Sequence, residues 1–257
     1  MRQKRARRDE ILTALEAGSA DVEALAARFG VSASTIRRDL QDLSAQHPIA
    51  RTYGGAMLAG SAVEQSLGTR ATQRRPAKAA IAEAALALLA EGETLILDGG
   101  STVEALGRRL PGWLSGRRLR VITNNLPLIP VLAGAPGLEL IVLGGVVRPI
   151  SMGTTGPFAE QSLRQMSADR LFTSADGLLP GYGLCEATPE QVSLKSLMMR
   201  QAASVVVLAD ASKLGQGKQP FWAPLPPGAV LVTDAAEAEC APYRAEGLRV
   251  IRVAPPG

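Results

Sequence analysis

Val31-Ser32-Ala33-Ser34-Thr35-Ile36-Arg37-Arg38-Asp39-Leu40-Gln41-Asp42-Leu43 carries the clearest periodic signal in the chain. At helical period Ile36, Leu40 and Leu43 fall on one face and predict an apolar stripe against a small core. Thr35, Arg37, Arg38 and Gln41 are left facing outward, with Ser32 and Ser34 at the start of the helix. A short helix of this kind suits a major groove, because arginine grips base edges or phosphates and N-terminal hydroxyls meet phosphate oxygens. Amphipathicity alone also describes a bundle whose arginines are merely solvated.

The neighbouring residues add to the pattern. Asp21 to Phe29 predicts a second short helix, capped by Ser19 or Asp21, and Gly30 permits the tight turn between the two. Asp9 to Ala17, with Ile11, Leu12 and Leu15 on one face, supplies a third helix to close a core around Leu25, Phe29 and Ile36. Beyond the second turn, Ile49 to Ala56 reads as a strand entering a Gly-Gly turn. A β-wing there lays Arg51, Thr52, Tyr53 and Gly54 along the sugar-phosphate backbone.

The run VSASTIRRDL followed by ARTYGGA resembles the winged helix of the DeoR family of bacterial sugar-regulon repressors. The chain departs from that pattern at Gln46-His47-Pro48, where the family more often has a glycine, so the loop into the wing is expected to differ in shape.

At 257 residues the chain suits one small domain and one of ordinary size. The net charge is +4, with Arg2, Lys4, Arg5, Arg7 and Arg8 crowded into a basic arm that is expected to add salt-sensitive attraction to phosphate. Cys185 and Cys240 are two and far apart, which gives neither a disulfide framework nor metal-ligand spacing. The absence of a signal peptide and of any long apolar run predicts a reduced, cytoplasmic protein with no membrane partner. A single histidine, His47, excludes Ser-His-Asp, Cys-His and His-metal chemistry elsewhere.

From Met57 to Pro76 apolar periodicity lapses, which predicts a linker packed partly on the larger domain. Ala77 to Ala90 predicts an Ala/Leu helix with Ile81, Ala85, Leu88 and Leu89 inward. Short apolar runs then alternate with helical segments, the pattern of an α/β domain with a mainly parallel sheet. These runs end in small, hydroxyl or carboxylate residues: Asp98-Gly99-Gly100-Ser101-Thr102, Thr123-Asn124-Asn125, Gly144-Gly145, Asp176-Gly177, Asp210 with Lys213 close behind, and Thr233-Asp234. Ligands of open parallel sheets bind outside the carboxyl ends of the strands, so one shared pocket is expected there. In the Asp98 loop two glycines let the backbone approach a ligand, and a phosphate above Ser101 and Thr102 is the natural guest. Lys213 belongs with the pocket by its spacing. Lys195, on a helix with Val192, Leu194, Leu197 and Met198, is open to two readings, pocket residue or solvated helix residue. Leu248 to Val253 alternates and predicts an edge strand, and Trp113, Phe221 and Trp222 fall in Pro- and Gly-rich loops.

This second part also resembles the DeoR family, through Lys78-Ala79-Ala80-Ile81-Ala82, Asp98 with Gly100-Ser101-Thr102, Thr123-Asn124-Asn125, Leu143-Gly144-Gly145, Asp176-Gly177 and Asp210-Ala211-Ser212-Lys213. The resemblance implies a sensor domain similar in fold to sugar-phosphate isomerases that binds a phosphorylated sugar without turning it over. Ser174 stands where the family usually places glycine, which implies a narrowed or altered pocket. The resulting expectation is an α/β protein with a winged helix-turn-helix domain at 1–57, a linker at 58–75 and an effector-sensing domain at 76–257. It is a cofactor-free, non-enzymatic homo-oligomer that represses a carbohydrate operon through double-stranded DNA. The alternative is a sugar-phosphate isomerase-like enzyme with a regulatory attachment, using Asp98, Asp176 or Glu186 as base.

Overall fold

The computed structural model describes residues 2–16, 19–44, 49–52, 55–58 and 64–254. The first part of the chain runs α1 (Arg2–Glu16), β1 (Ser19–Asp21), α2 (Val22–Phe29), α3 (Ala33–Ser44), β2 (Ile49–Thr52) and β3 (Gly55–Leu58). Asp21 caps α2 by accepting from the Ala24 amide at 2.8 Å, and Gly30 closes it in the left-handed region at φ +62°. β3 pairs antiparallel with both β1 and β2, so the strands after α3 form the expected wing. Ile11, Leu15, Val22, Leu25, Ile36, Leu40 and Leu43 are buried together. The helical-period stripe of α3 is therefore the core face of a three-helix unit.

The basic residues at the start belong to α1 and do not form a separate arm. The Nε atoms of Arg7 and Arg8 donate to the two carboxylate oxygens of Asp39 at 2.8 and 2.9 Å. Arg8 also pairs with Asp42. Asp39 is 1% exposed, so this clamp holds α1 on α3 from beneath.

The rest of the chain begins with α4 (Leu67–Thr72) and α5 (Arg75–Leu86), followed by β4 (Thr94–Leu97), α6 (Ser101–Gly107), α7 (Leu110–Trp113), β5 (Leu119–Thr123), α8 (Ile129–Leu132) and β6 (Leu138–Val142). Next come β7 (Val146–Arg148), β8 (Gly153–Thr155), α9 (Pro157–Leu163), β9 (Ala168–Thr173), β10 (Gly177–Leu179) and β11 (Gly183–Glu186). The chain closes with α10 (Pro189–Gln201), β12 (Ala202–Leu208), β13 (Phe221–Ala223), β14 (Val230–Thr233), α11 (Glu237–Ala245) and β15 (Arg249–Arg252). Seven strands form one parallel sheet in the order β15-β14-β12-β9-β4-β5-β6. Alternate side chains feed two cores. Ile96, Ile122, Leu171 and Val205 pack on one face, and Leu95, Leu97, Val121 and Phe172 on the other.

Four expectations need correction. The segment from Met57 to Pro76 is not a plain linker: it contains the end of β3 and the short helix α4, capped where the Ser66 hydroxyl accepts from the Thr69 amide. The helix expected over Ala77–Ala90 runs from Arg75 to Leu86, because Pro76 is favoured in a first turn. Phe221 and Trp222 lie in β13, paired with β11, and Trp113 ends α7. The antiparallel strands β7, β8, β10, β11 and β13 were not foreseen, being three or four residues each with no long alternating pattern.

Candidate functional site

On the first unit, Ser32, Ser34, Arg37, Arg38 and Gln41 are exposed and Thr35 is half-buried. The Ser32 hydroxyl lies 2.8 Å from those of Ser34 and Thr35 and accepts from the Thr35 amide, capping α3 with a cluster of hydroxyls. Arg37 lies 3.6 Å from Glu23 in a pair open to solvent on both sides, which leaves the guanidinium available. Arg51 and Thr52 lie on β2 of the wing, while Tyr53, Gly54 and the Gln46-His47-Pro48 loop fall outside the described residues.

On the second unit, β4 leads toward β5 and β6 on one side of the sheet, whereas β9, β12, β14 and β15 lie on the other. The strand order reverses between β4 and β9, and a crevice opens at their carboxyl ends. A narrow cleft occupies that place, and Asp98, Gly99, Gly100, Asn124, Glu186 and Lys195 are among its lining residues. Its floor is a buried charge cluster. The Lys195 ammonium donates to Asp98 Oδ2, to Thr173 Oγ1 at 2.9 Å and to the Ser174 carbonyl at 2.7 Å, with Glu186 Oε1 at 3.1 Å. An ammonium has three protons, so these acceptors consume them all. Lys195 is 3% exposed, which decides between its two readings as far as solvation goes: it is not a solvated helix residue.

Both carboxylates are likewise engaged. Asp98 accepts from the Gly99 amide at 2.7 Å and from Thr173 Oγ1 at 2.6 Å, while Glu186 accepts from Gln191 Nε2 at 3.0 Å. Burial raises the Glu186 carboxyl to about 7 even though the Lys195 charge opposes the shift, and the carboxylates of Asp176 and Asp98 push it the same way. The Asp98 loop is pinned from behind by Asn125, whose Nδ2 donates to the Asp98 carbonyl at 3.2 Å and the Gly100 carbonyl at 3.4 Å. Two buried acceptors on the cleft wall, Asn124 Oδ1 and Gln191 Oε1, have no partner. Arg70 of α4 also lines the cleft, pairs with Asp176 at 2.8 Å and keeps a buried, unpartnered Nε.

The residues expected to share one pocket are thus distributed. Asp98, Gly99, Gly100, Asn124 and Lys195 line the cleft. Asp176 and Lys213 line an adjoining pocket with Arg70, Ser212 and Lys218, and Asp210 stands beside it, bonded to Ser212 and to Arg74 at 3.0 Å. Ser101 faces a separate groove with Arg75, Lys78 and Arg108. There Lys78 is lowered to about 8, mainly by burial and further by Lys213, Arg70 and Arg74. Thr102 is buried, and Thr123 is spent on the Leu97 carbonyl at 2.6 Å and the Asn125 amide at 3.0 Å. Gly144 and Gly145 turn β6 into β7, with Gly145 at φ +139° against the Thr155 carbonyl. Sequence reasoning passed over Arg70, Ser151, Gly153 and Thr155, which sit in turns or on elements too short to show periodicity, and Gln191, whose place in the first turn of α10 carries no motif. The Ser66 cap with Leu67 behind it was the one available signal for α4.

Ser174 is buried, and its hydroxyl crosses to the Gly99 carbonyl at 3.4 Å. A Cβ on Gly100, at φ +125°, would collide with that hydroxyl. Gly100→Ala is therefore expected to cost about 1–3 kcal/mol of stability, read from the urea midpoint. Adding Ser174→Gly should return only part of the loss, since the backbone strain stays.

Residues 73–235 match the DeoR C terminal sensor domain, and residues 7–62 match the DeoR-like helix-turn-helix domain. The chain belongs to the DeoR family. It is 34% identical to the HTH-type transcriptional repressor CsqR of Escherichia coli, over 80% of this chain and 78% of that protein. It is 33% identical to the HTH-type transcriptional regulator GlpR of Haloferax volcanii, over 83% and 82%. The Glycerol-3-phosphate regulon repressor of Escherichia coli is 31% identical, over 77% of this chain and 78% of that protein. Among solved structures, a ribose 5-phosphate isomerase from Methanocaldococcus jannaschii aligns at 19% identity and a TM-score of 0.40, over about half of each chain (53% and 52%). These DeoR-family relatives are regulators that carry a helix-turn-helix, and no helix among the described residues of this chain is long and apolar enough to cross a membrane.

Proposed function

We propose that the chain is a cytoplasmic transcriptional repressor of a carbohydrate operon, released from its double-stranded operator by a phosphorylated sugar held in the β4/β9 cleft. The observation that carries this reading is the cleft itself. It opens at the reversal of strand order, its floor is neutralised by Lys195, and its wall presents the unpartnered acceptors Asn124 Oδ1 and Gln191 Oε1. Unpartnered acceptors call for hydroxyl donors, and a polyol supplies several. The phosphate lies toward the Gly99-Gly100 backbone and Arg70, the lining cation whose Nε is unspent. That relatives covering most of this chain are named repressors favours a receptor over an isomerase.

On the DNA side, Ser32, Ser34, Thr35, Arg37, Arg38 and Gln41 read the groove while Arg51, Thr52, Tyr53 and Gly54 follow the backbone. The effector acts by binding the DNA-free arrangement more tightly than the DNA-bound one. The test is fluorescence anisotropy with labelled DNA from upstream of its own gene, titrated with a panel of sugar phosphates and their unphosphorylated parents. One phosphate reversing sequence-selective binding is the expected result; turnover of that phosphate would instead favour the isomerase. Arg37→Ala should weaken operator binding by about 1–3 kcal/mol while leaving salt-sensitive binding to unrelated DNA nearly intact. Parental operator affinity in that variant would move the recognition surface elsewhere.

A further inference from the structure

The residues that lead from the winged unit into the sheet domain are tied down at successive points. Glu64 accepts from both terminal nitrogens of Arg148, at 2.7 and 3.0 Å, and Arg148 donates a further bond at 3.2 Å to Ser151 Oγ on the cleft wall. The Leu67 amide donates to the Ile150 carbonyl at 2.7 Å. Arg70 pairs with Asp176 at 2.8 Å, and Arg74 with Asp210 at 3.0 Å and Asp234 at 2.9 Å. These partners follow the order of the sheet. Arg148 and Ile150 belong to the β7–β8 hairpin that follows β6, whereas Asp176 follows β9, Asp210 follows β12 and Asp234 follows β14. Residues 64–74 thus form a strap that passes from one side of the β4/β9 reversal to the other.

Backbone strain marks both of its attachments. Among the described residues two that are not glycine hold a positive φ, Met152 at +49° and Arg74 at +50°. Met152 sits in the turn that receives Leu67 and Arg148, and Arg74 joins α4 to α5. Such strain persists where surrounding contacts over-determine it, and it collects at ligand clamps and switch segments. Arg70 lies between the two attachments and lines the cleft with a buried, unpartnered Nε. Upstream, five residues, 59–63, separate Glu64 from Leu58 at the end of β3. The strap is therefore the covalent route between the two units and tethers the winged one within about 20 Å.

We propose that residues 64–74 carry occupancy of the cleft to the winged unit, with Arg70 as the residue that reads the ligand. An anion beside Gly99 and Gly100 competes with Asp176 for the Arg70 guanidinium, whose planar fork suits a carboxylate or a phosphate equally. A shift of α4 is resisted at its far end, where Arg74 is clamped between the buried Asp210 and Asp234. It is passed on at the near end, to the Glu64–Arg148 pair and the chain that leads back to β3. A ligand moves a two-state equilibrium only through contacts that differ between the states. Here the difference is the partner of Arg70, Asp176 in one arrangement and the ligand anion in the other. The inference rests on the regulatory reading above and names the path by which that site acts.

Coupling between two sites is reciprocal, so DNA on the winged unit must bias the strap as the ligand does, and the test needs no effector. Amide exchange of the full chain is followed by mass spectrometry with and without a DNA fragment from upstream of its own gene. In the parent, exchange in α3 should slow, and exchange over residues 64–74 and 148–155 should shift at least about 5-fold, the lower end of ordinary coupling. Glu64→Ala/Arg148→Ala removes both members of the pair, so neither is left buried without a partner. In that variant α3 should respond as in the parent while the shift over 148–155 is lost. Glu64→Gln is the milder variant, which decides the matter if the double variant does not fold, and Arg120→Ala is a control at an exposed pair away from the strap. DNA that alters α3 alone in the parent overturns the proposal, as does a folded strap variant that transmits like the parent or a control that fails to transmit. DNA that alters no segment overturns the regulatory reading itself, and this inference with it.

Discussion

Replacing Lys195 with methionine is expected to lower the unfolding free energy of the C-terminal unit by about 3–5 kcal/mol, the loss that follows when one partner leaves a buried ionic cluster. Asp98 and Glu186 would then face each other in a buried site without a cation, and Thr173 Oγ1 and the Ser174 carbonyl would each lose a donor. Urea unfolding followed by tryptophan fluorescence reads this unit directly, because Trp113 and Trp222 both lie in it. Glu186→Gln is expected to behave oppositely. The folded carboxyl titrates near 7, above its ordinary value of 4.5, so the folded state binds more protons between those values and parental stability falls as pH rises through that window. Glutamine removes that slope and leaves the Lys195–Asp98 pair intact. The Lys195→Met loss should accordingly be greater at pH 8 than at pH 6. Equal losses at the two pH values would mean that Glu186 does not carry the titration.

Asp39→Ala should cost about 1–3 kcal/mol in the N-terminal unit, because the Arg7 and Arg8 guanidiniums lose their shared buried acceptor. Both arginines are partly exposed and can turn to water, which keeps the figure below that of Lys195→Met. A small domain has little stability to spare, so operator binding should fall with the melting temperature. Arg7→Ala separates the clamp from a phosphate contact. If Arg7 touched DNA, its loss would flatten the dependence of log affinity on log salt; as part of a clamp, it should lower affinity with the salt slope unchanged. A flattened slope would restore the basic-arm reading.

Local patterns were legible where they repeat. Ile36, Leu40 and Leu43 name the buried side of α3 because a helix brings residues three and four apart onto one face whatever else the chain does. Runs such as Leu95-Ile96-Leu97 and Val205-Val206-Val207 announce strands buried on both faces, since no polar alternation interrupts them. The cleft was half legible. Asp98, Gly99, Gly100 and Asn124 could be named because strand ends converge in any open parallel sheet, whereas Arg70 and Gln191 could not.

The sequence by itself therefore determined the two-part organisation, the winged helix-turn-helix, the parallel sheet and the end of that sheet at which the cleft opens. All of these follow from spacing along the chain. Only the tertiary structure decided that Arg7 and Arg8 clamp Asp39, that Lys195 is consumed by Asp98 and Glu186, that Ser101 faces a groove apart from the cleft, and that Arg148 pairs with Glu64. These contacts join residues distant in sequence, as Arg7 with Asp39 and Lys195 with Asp98 do, or turn on which way a side chain bends. No local period encodes such contacts, because they exist only once the strand order has brought the ends of β4, β9 and α10 together.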